Sequence, residues 1–311
     1  MIKFYLLFFL TTTLNFSDKK VIKFPPDTRP KIAFTFDDPN ISDMPGYPLE
    51  VWNQSLLHAL NKHQLKAVLF VTGMRIQGKK GADLLKEWNR QGHKISNHTY
   101  SHLNYADSEN TVKQFESELL RNHSIIKKYS NFYPYFRFPY LKEGNTRGKT
   151  DSLRSILHKH GYKNGHVTID ASDWYVNSRL VQRLKKDPKG DISGYKSFYI
   201  EHLFDRALYY DSLASGLTNR KINHVILLHH NLAAALFLDD LIQHFKDRGW
   251  DVVDAEKAYQ DEVYKQIPNY IPAGESLIWA MAKQSGLFEK SLRYPGEDGE
   301  YEKVKMDRLK L

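Results

Sequence analysis

Five short segments of this 311-residue chain carry side chains that bind cations or move protons, and each follows an apolar run. The first is Thr35-Phe36-Asp37-Asp38, two adjacent carboxylates at the end of a strand-like stretch. Neighbouring side chains leave a strand in opposite directions, so one carboxylate can bind a cation while the other takes a proton. The bland alternative is a turn, because Asp-Asp-Pro-Asn is also strong turn chemistry. The second segment is Asn97-His98-Thr99-Tyr100-Ser101-His102, where two histidines at i and i+4 lie one above the other on a helical turn and both imidazoles reach one ion. Among fourteen histidines such a spacing says little alone. Joined to Asp38, it supplies two nitrogens and one oxygen and leaves a fourth position open for water, the donor set of a catalytic zinc-type site.

The other three segments supply supporting chemistry. Arg137, in Phe136-Arg137-Phe138-Pro139-Tyr140, has the charge to orient a carboxylate beside the metal and keep it ionised; Asp173, in Asp170-Ala171-Ser172-Asp173-Trp174, can do the same for an imidazolium. Taken singly, a surface ion pair and a helix N-cap are the simpler accounts of the two. Val225-Ile226-Leu227-Leu228-His229-His230 ends in two histidines. A histidine at the end of an apolar strand can stay protonated near neutral pH and give its proton to a leaving group if a carboxylate supports it. Strand alternation turns only one of the pair toward the strand's inner face, and periodicity leaves open which.

Short apolar runs alternate with longer amphipathic ones from Lys31 onward, the signal of a repeating βα fold. Strands are expected at Ile32 to Phe36, Lys66 to Val71, His93 to Ser96, Tyr135 to Phe138, His166 to Ile169, Val225 to Leu228 and Asp251 to Val253. Helices are expected at Leu49 to Lys62, Ala82 to Gln91, Thr111 to Tyr129, Asp151 to His160 and Ala234 to Arg248. Seven strands with helices between them predict an α/β barrel, closed or nearly so, whose C-terminal strand ends carry all five segments. Tyr175 to Lys221 is too long for a βα loop and reads as an insertion with helices of its own, overhanging the site. The tail after Pro268 contains a helix candidate at Gly274 to Gln284.

Composition narrows the class. With 41% hydrophobic and 26% charged residues the chain is globular rather than disordered. The net charge of +9 is scattered and comes with no helix-turn-helix, zinc-finger or RNP-like motif, which argues against nucleic acid as the partner and for anionic surroundings such as a cell-wall polymer or a lipid surface. There is no cysteine, so disulfides and a thiolate nucleophile are excluded and any metal must be held by histidine and carboxylate. Lys3, the apolar run Phe4 to Leu10 and Asp18-Lys19-Lys20 have the layout of a secretory signal peptide over residues 1–17, too short to span a bilayer, and predict an exported protein.

Taken together, Thr35 to Asp38 (TFDD), His98 to His102 (HTYSH), Arg137 to Tyr140 (RFPY), Asp170 to Trp174 (DASDW) and Leu227 to His230 (LLHH) resemble, in order, the motifs of the polysaccharide deacetylase family, the NodB-homology carbohydrate esterases. Ala67 to Gly73 and Gly92 to Asn97 are similar to the flanking strands, and the likeness runs from about Lys31 to Val253. The resemblance implies a distorted (β/α)7 barrel, here a domain over residues 25–265 with an insertion at 175–221 and an extension at 266–311. It implies a divalent metal, zinc first and cobalt or nickel next, on Asp38, His98 and His102. Asp37 would be the general base held by Arg137, and His229 the general acid supported by Asp173. The Tyr140 backbone N–H would stabilise an oxyanion, and Trp174 would line a sugar pocket. The implied reaction is hydrolysis of N-acetyl groups on amino-sugar polymers or oligomers of peptidoglycan or chitin type. Its rivals are O-acetyl ester hydrolysis as on acetylated xylan, deformylation of a lipid-linked amino sugar, and, in another class, a catalytically silent carbohydrate-binding relative. Two positions depart from the family pattern: Pro39 follows the carboxylate pair and Leu141 follows Pro-Tyr, both where glycine is usual, which predicts a reshaped rim.

Overall fold

Period-two alternation decides which side chains enter the barrel and which meet the helices. Residues 28–293 and 299–311 are described by the computed structural model; the expected signal peptide at 1–17 and the expected domain start at residue 25 lie outside them. In chain order the elements are β1 (Lys31–Asp37), α1 (Leu49–Lys62), β2 (Val68–Val71), α2 (Gly78–Arg90), β3 (Lys94–Asn97), α3 (Val112–Ile126), β4 (Phe132–Phe136), β5 (Lys142–Gly144), α4 (Arg147–Lys159), β6 (Lys163–Asn164), α5 (Asp173–Lys186), α6 (Ser193–Thr218), β7 (Asn223–His229), α7 (Leu232–Asp247), β8 (Asp251–Val252), α8 (Ala255–Ala258), β9 (Ala273–Gly274), α9 (Leu277–Ser285) and α10 (Glu300–Arg308).

Seven strands form one parallel sheet in the order β6-β4-β3-β2-β1-β7, with β8 beside the first residues of β1. The run from 163 to 169 pairs with β4 at its start and bridges to β7 through Ile169 and Ile226 at its end, so the sheet curls back on itself as a distorted α/β barrel. Ala33, Val68, Phe70, Val225 and Leu227 fill the lumen. Their neighbours Ile32, Phe34, Phe36, Leu69, Ile226 and Leu228 point outward into the larger core under the helices. Extending the two series places Asp37 and His229 on the lumen side and His230 among the helices.

Two strands differ from expectation. β4 starts earlier and ends at Phe136, because Pro139 has no N–H to extend the ladder and the chain turns away after Arg137 donates to the Asn97 carbonyl at 2.9 Å. The expected strand at 166–169 keeps only the Ile169 bridge, its ladder pairing lying at Lys163–Asn164.

The stretch 175–221 completes α5 and forms α6, but it does not overhang the site. The 26-residue α6 buries Tyr199, Leu203, Ala207, Tyr210 and Leu213, so it lies in the helical layer against α7 and α9, and only Asn177 of the stretch reaches the cleft described below. In the tail, β9 pairs antiparallel with β5, and α10 is docked by a buried pair in which His202 Nε2 lies 2.6 Å from Glu302 Oε1. Among the described residues no helix is long and apolar enough to cross a membrane.

Candidate active site

The five segments meet at the C-terminal end of the sheet around a cavity of about 390 Å³. β1 delivers Asp37 into the lumen by alternation, and Asp38 then takes a left-handed φ of 54°, which swings its carboxylate back over the same rim. The strand alternation expected for this pair therefore ends at Asp37. His98 and His102 are also brought together differently from expectation. Residues 98–102 form an irregular loop in which Thr99 (φ 65°) and His102 (φ 63°) are left-handed, and no helical turn is present. The loop is held from beneath: Asn97 Oδ1 accepts from the Thr99 N–H at 3.0 Å, Thr99 Oγ1 from the His102 N–H at 3.0 Å, and Asn122 Nδ2 donates to Asn97 Oδ1 at 2.9 Å. The two imidazole centroids end 5.0 Å apart.

One donor atom from each of Asp38, His98 and His102 lies within 4.8 Å of the others, and Asp38 Oδ2 is 3.3 Å from His102 Nε2. The surrounding bonds leave those atoms available. His98 Nδ1 lies 2.8 Å from the Arg137 carbonyl, to which it donates, so Nε2 keeps the lone pair. Asp38 spends Oδ1 on the Thr72 hydroxyl and on Arg75 Nε at 3.2 Å, which frees Oδ2. Burial pushes both imidazoles down to about 4, further than Asp38 lifts them, so they are neutral at pH 7. Burial would raise the Asp38 carboxyl, but His98, His102 and Arg75 hold it at about 2. Two neutral imidazoles and one carboxylate are the donor chemistry of a divalent transition metal, and the residues fit one.

Asp37 is fully enclosed. Arg137 Nη1 donates to its Oδ1 at 2.6 Å, while Oδ2 lies 3.8 Å from His98 Nε2. The guanidinium is fixed on three sides: Nε donates to the Gly165 carbonyl and Nη2 to the Tyr259 hydroxyl, each at 2.9 Å, and the Phe70 ring lies 3.9 Å below it. Gly165 must lack a side chain, since a Cβ there would stand 2.6 Å from that same ring. Burial raises the Asp37 pKa against the opposing pull of Arg137 and His229.

His229 is the register partner of Asp37 on the adjacent strand. Its Nδ1 lies 2.6 Å from Asp173 Oδ1, and its backbone N–H donates to Asp173 Oδ2 at 2.9 Å. Asp173 is the first residue of α5 and leaves the N-cap position to Ser172. Burial lowers the His229 pKa, but the charge and hydrogen bond of Asp173, with help from Asp37 and Asp38, raise it to about 9. His230 faces the other way, between Trp52 and Trp88, accepting from the Asn40 N–H at Nδ1 and reaching Asn53 Oδ1 through Nε2, and burial holds it down at about 3. Alternation thus answers which histidine enters the site.

Tyr140 and Trp174 line the cleft; Tyr140 is 49% exposed and its ring packs edge-on to His102 at 4.6 Å. Tyr140 (φ 56°) and Leu141 (φ 57°) are both left-handed, so the departure at Leu141 puts a side chain on backbone that glycine adopts without strain. Thr72, Arg75, Asn231 and Tyr259 were not singled out from the sequence. Asn231 donates to Asp173 Oδ2 at 2.9 Å while capping α7, and its place directly after the histidine pair is a usable signal. Tyr259 arrives from after β8, and nothing local marks it.

Residues 25–165 match the family model for polysaccharide deacetylase. Two peptidoglycan-N-acetylglucosamine deacetylases of Bacillus cereus are 29% identical over 152 residues and 30% identical over 153. Those stretches cover 48% and 49% of this chain and 48% and 50% of the relatives, so the chain spans about half the length of the curated relatives it matches. The chitin deacetylase of the fungal pathogen Colletotrichum lindemuthianum superposes with a TM-score of 0.52 at 19% identity, over 75% of this chain and 88% of that one. A CE4 family pseudoenzyme from Bacillus anthracis superposes with a TM-score of 0.51 at 17% identity, over 74% and 65%. At such identities the two structures show a shared fold. The matched sequence runs through four of the strands that carry the site, and over residues 25–165 the chain is similar to the polysaccharide deacetylase family.

Proposed function

We propose that the chain is a metal-dependent hydrolase that removes N-acetyl groups from amino-sugar polymers or oligomers of peptidoglycan or chitin type. One observation carries this reading: Asp37 and His229, register partners facing one lumen beside a three-donor cluster, have opposite partners, Arg137 on the carboxylate and Asp173 on the imidazole. Paired titratable groups with divergent environments are how acid and base roles are assigned at one pH. Asp38, His98 and His102 would hold the cation, zinc first and cobalt or nickel next. When bound, it supplies a Lewis-acid charge that lowers the pKa of water and polarises a carbonyl.

The protein's own groups do the rest. Asp37, anchored through Oδ1, takes the proton of the attacking water on Oδ2. The Tyr140 backbone N–H faces the oxyanion that forms as the carbonyl becomes tetrahedral. His229, its Nδ1 committed to Asp173, gives the Nε2 proton to the departing amine, and Trp174 walls the sugar. The products are acetate and a free amino sugar. A cell-wall substrate, and with it an exported protein, is supported by the relatives named peptidoglycan-N-acetylglucosamine deacetylases. Asp37→Asn tests the assignment: metal content stays at that of the wild type while turnover falls at least 10²-fold. Full activity in that variant would remove Asp37 from the mechanism. Acetate release from chitooligosaccharides and peptidoglycan, beside acetylated xylan and a formylated amino sugar, ranks the N-acetyl reading against its ester and formyl rivals.

A further inference from the structure

Arg75 belongs to no motif and none of the roles above needs it, yet it stands at the cleft beside the metal-binding carboxylate. It lies in the single turn Gly73–Ile76 that follows β2, with 47% of its side chain exposed. Its ionic contact is with Asp38, Nε sitting 3.2 Å from Oδ1, and among the described residues it pairs with no other carboxylate and no hydrogen bond fixes either Nη nitrogen. The guanidinium is therefore anchored at one corner and presents its opposite edge to the cavity it lines. Acidic residues elsewhere on the rim are otherwise occupied. Asp37 is held by Arg137 and Asp173 by His229 and Asn231, while Asp170, just before α5, also lines the cleft.

An arginine fixed at Nε with two free, coplanar donors is a receptor for a carboxylate or phosphate. Its anchor also limits its reach. Because Nε already touches the carboxylate assigned to the metal, the free edge lies close to the reacting centre, which favours a group on the same sugar ring as the reacting amide over one on a distant unit. We infer that Arg75 selects acetylated amino sugars whose reacting ring itself bears an anionic substituent. This rests on the deacetylase reading and narrows its substrate class. A neutral, chitin-like ring would leave the guanidinium edge solvated.

The test uses the zinc-loaded Asp37→Asn chain, with metal content checked, and calorimetric binding of N-acetylglucosamine, N-acetylmuramic acid (a ring carboxylate) and N-acetylglucosamine 6-phosphate (a ring phosphate). At least one anionic sugar should bind roughly tenfold tighter than the neutral one, the scale of a single charge-assisted contact. That preference should shrink as salt rises. Adding Arg75→Gln should bring the anionic-to-neutral ratio to within about twofold of unity, while Arg75→Lys should retain part of it. Which anion gains identifies the source of the charge. Equal affinities, or a preference that survives Arg75→Gln, would overturn the inference while leaving the deacetylase reading intact. No binding by any of the three sugars to the metal-loaded chain would overturn the inference, and acetate release by the chain with Asp37 intact then shows whether the deacetylase reading stands without it.

Discussion

Asp173 spends both carboxylate oxygens on two neighbours, His229 and Asn231, and is completely buried. Its charge is what lifts the His229 imidazole from 6.5 to about 9 against burial. With the protonated imidazole proposed as the working form, turnover should fall as pH rises through the His229 pKa. Asp173→Asn should move that alkaline limb to lower pH and lower kcat by 10²-fold or more, read from kcat against pH. An unmoved limb would detach His229 from the acid role. Arg137 is the counterpart on the base side. Arg137→Met would strand the Asp37 charge in the lumen, a loss of about 3–5 kcal/mol for a broken buried pair, to be read as a drop in denaturation midpoint together with activity. At this scale the sequence was informative where chemistry is local. Asp37, Asp38, His98, His102, Arg137, Asp173 and His229 all follow apolar runs, and the structure brings all seven to one rim. Thr72, Arg75 and Tyr259 were illegible because their partners lie 34, 37 and 122 positions away in the chain, and an isolated threonine, arginine or tyrosine carries no spacing signal.

Elements place these residues by two different devices. β1 and β7 use alternation, which the apolar pattern reveals, and it separates His229 from His230 once the lumen series Val225, Leu227 is known. The loops use left-handed backbone at Asp38, Thr99, His102, Tyr140 and Leu141, none of them glycine. Such conformations cost of order 1–2 kcal/mol each and persist only where surrounding bonds impose them. That explains why H-x-x-x-H read as a helical turn: its spacing fits a helix, but Asn97 and Thr99 side chains capture the backbone first. The β2–β4–β6 corner depends on a close approach in the same way. Gly165→Ala would push a methyl into the Phe70 ring under Arg137 and should cost about 1–3 kcal/mol, lowering the thermal midpoint and activity together. A variant with unchanged activity would show that the ring's position does not matter to the base.

Across the whole molecule, buried histidines set the pH range of stability. His93, 0% exposed, accepts from the Ala67 N–H at 3.2 Å, and burial, with Lys66 nearby, holds it at about 3; His230 is held there too. Unfolding lets both take up protons near 6.5, so their contribution is present above that pH and is lost progressively as pH falls toward 3. His229 acts oppositely: with a folded pKa near 9, it favours the fold below 6.5 and loses that contribution as pH rises through 9. Thermal midpoints of the chain should therefore fall on both sides, and His93→Gln, which keeps an acceptor for Ala67 without titrating, should lose less than the wild type between pH 6.5 and 4. An identical acid slope would exclude His93 as a cause. The barrel and its helices were readable from periodicity because β strands and amphipathic helices bury opposite patterns. The position of α6 was not, since its apolar residues run around much of the helix and mark burial without naming the neighbour.

The proposal is that Asp38, His98 and His102, loaded with one metal ion, and the Asp37–His229 pair together hydrolyse an acetamide. It is tested most directly by following acetate released from an acetylated amino-sugar oligomer by the purified chain, before chelation, after chelation and after zinc is returned, with bound metal quantified at each stage. Release should disappear with the metal and return with it, at about one ion per chain. Full occupancy of the cluster with no acetate from any acetylated amino sugar would contradict it, and would leave a chain that binds metal and carbohydrate without chemistry.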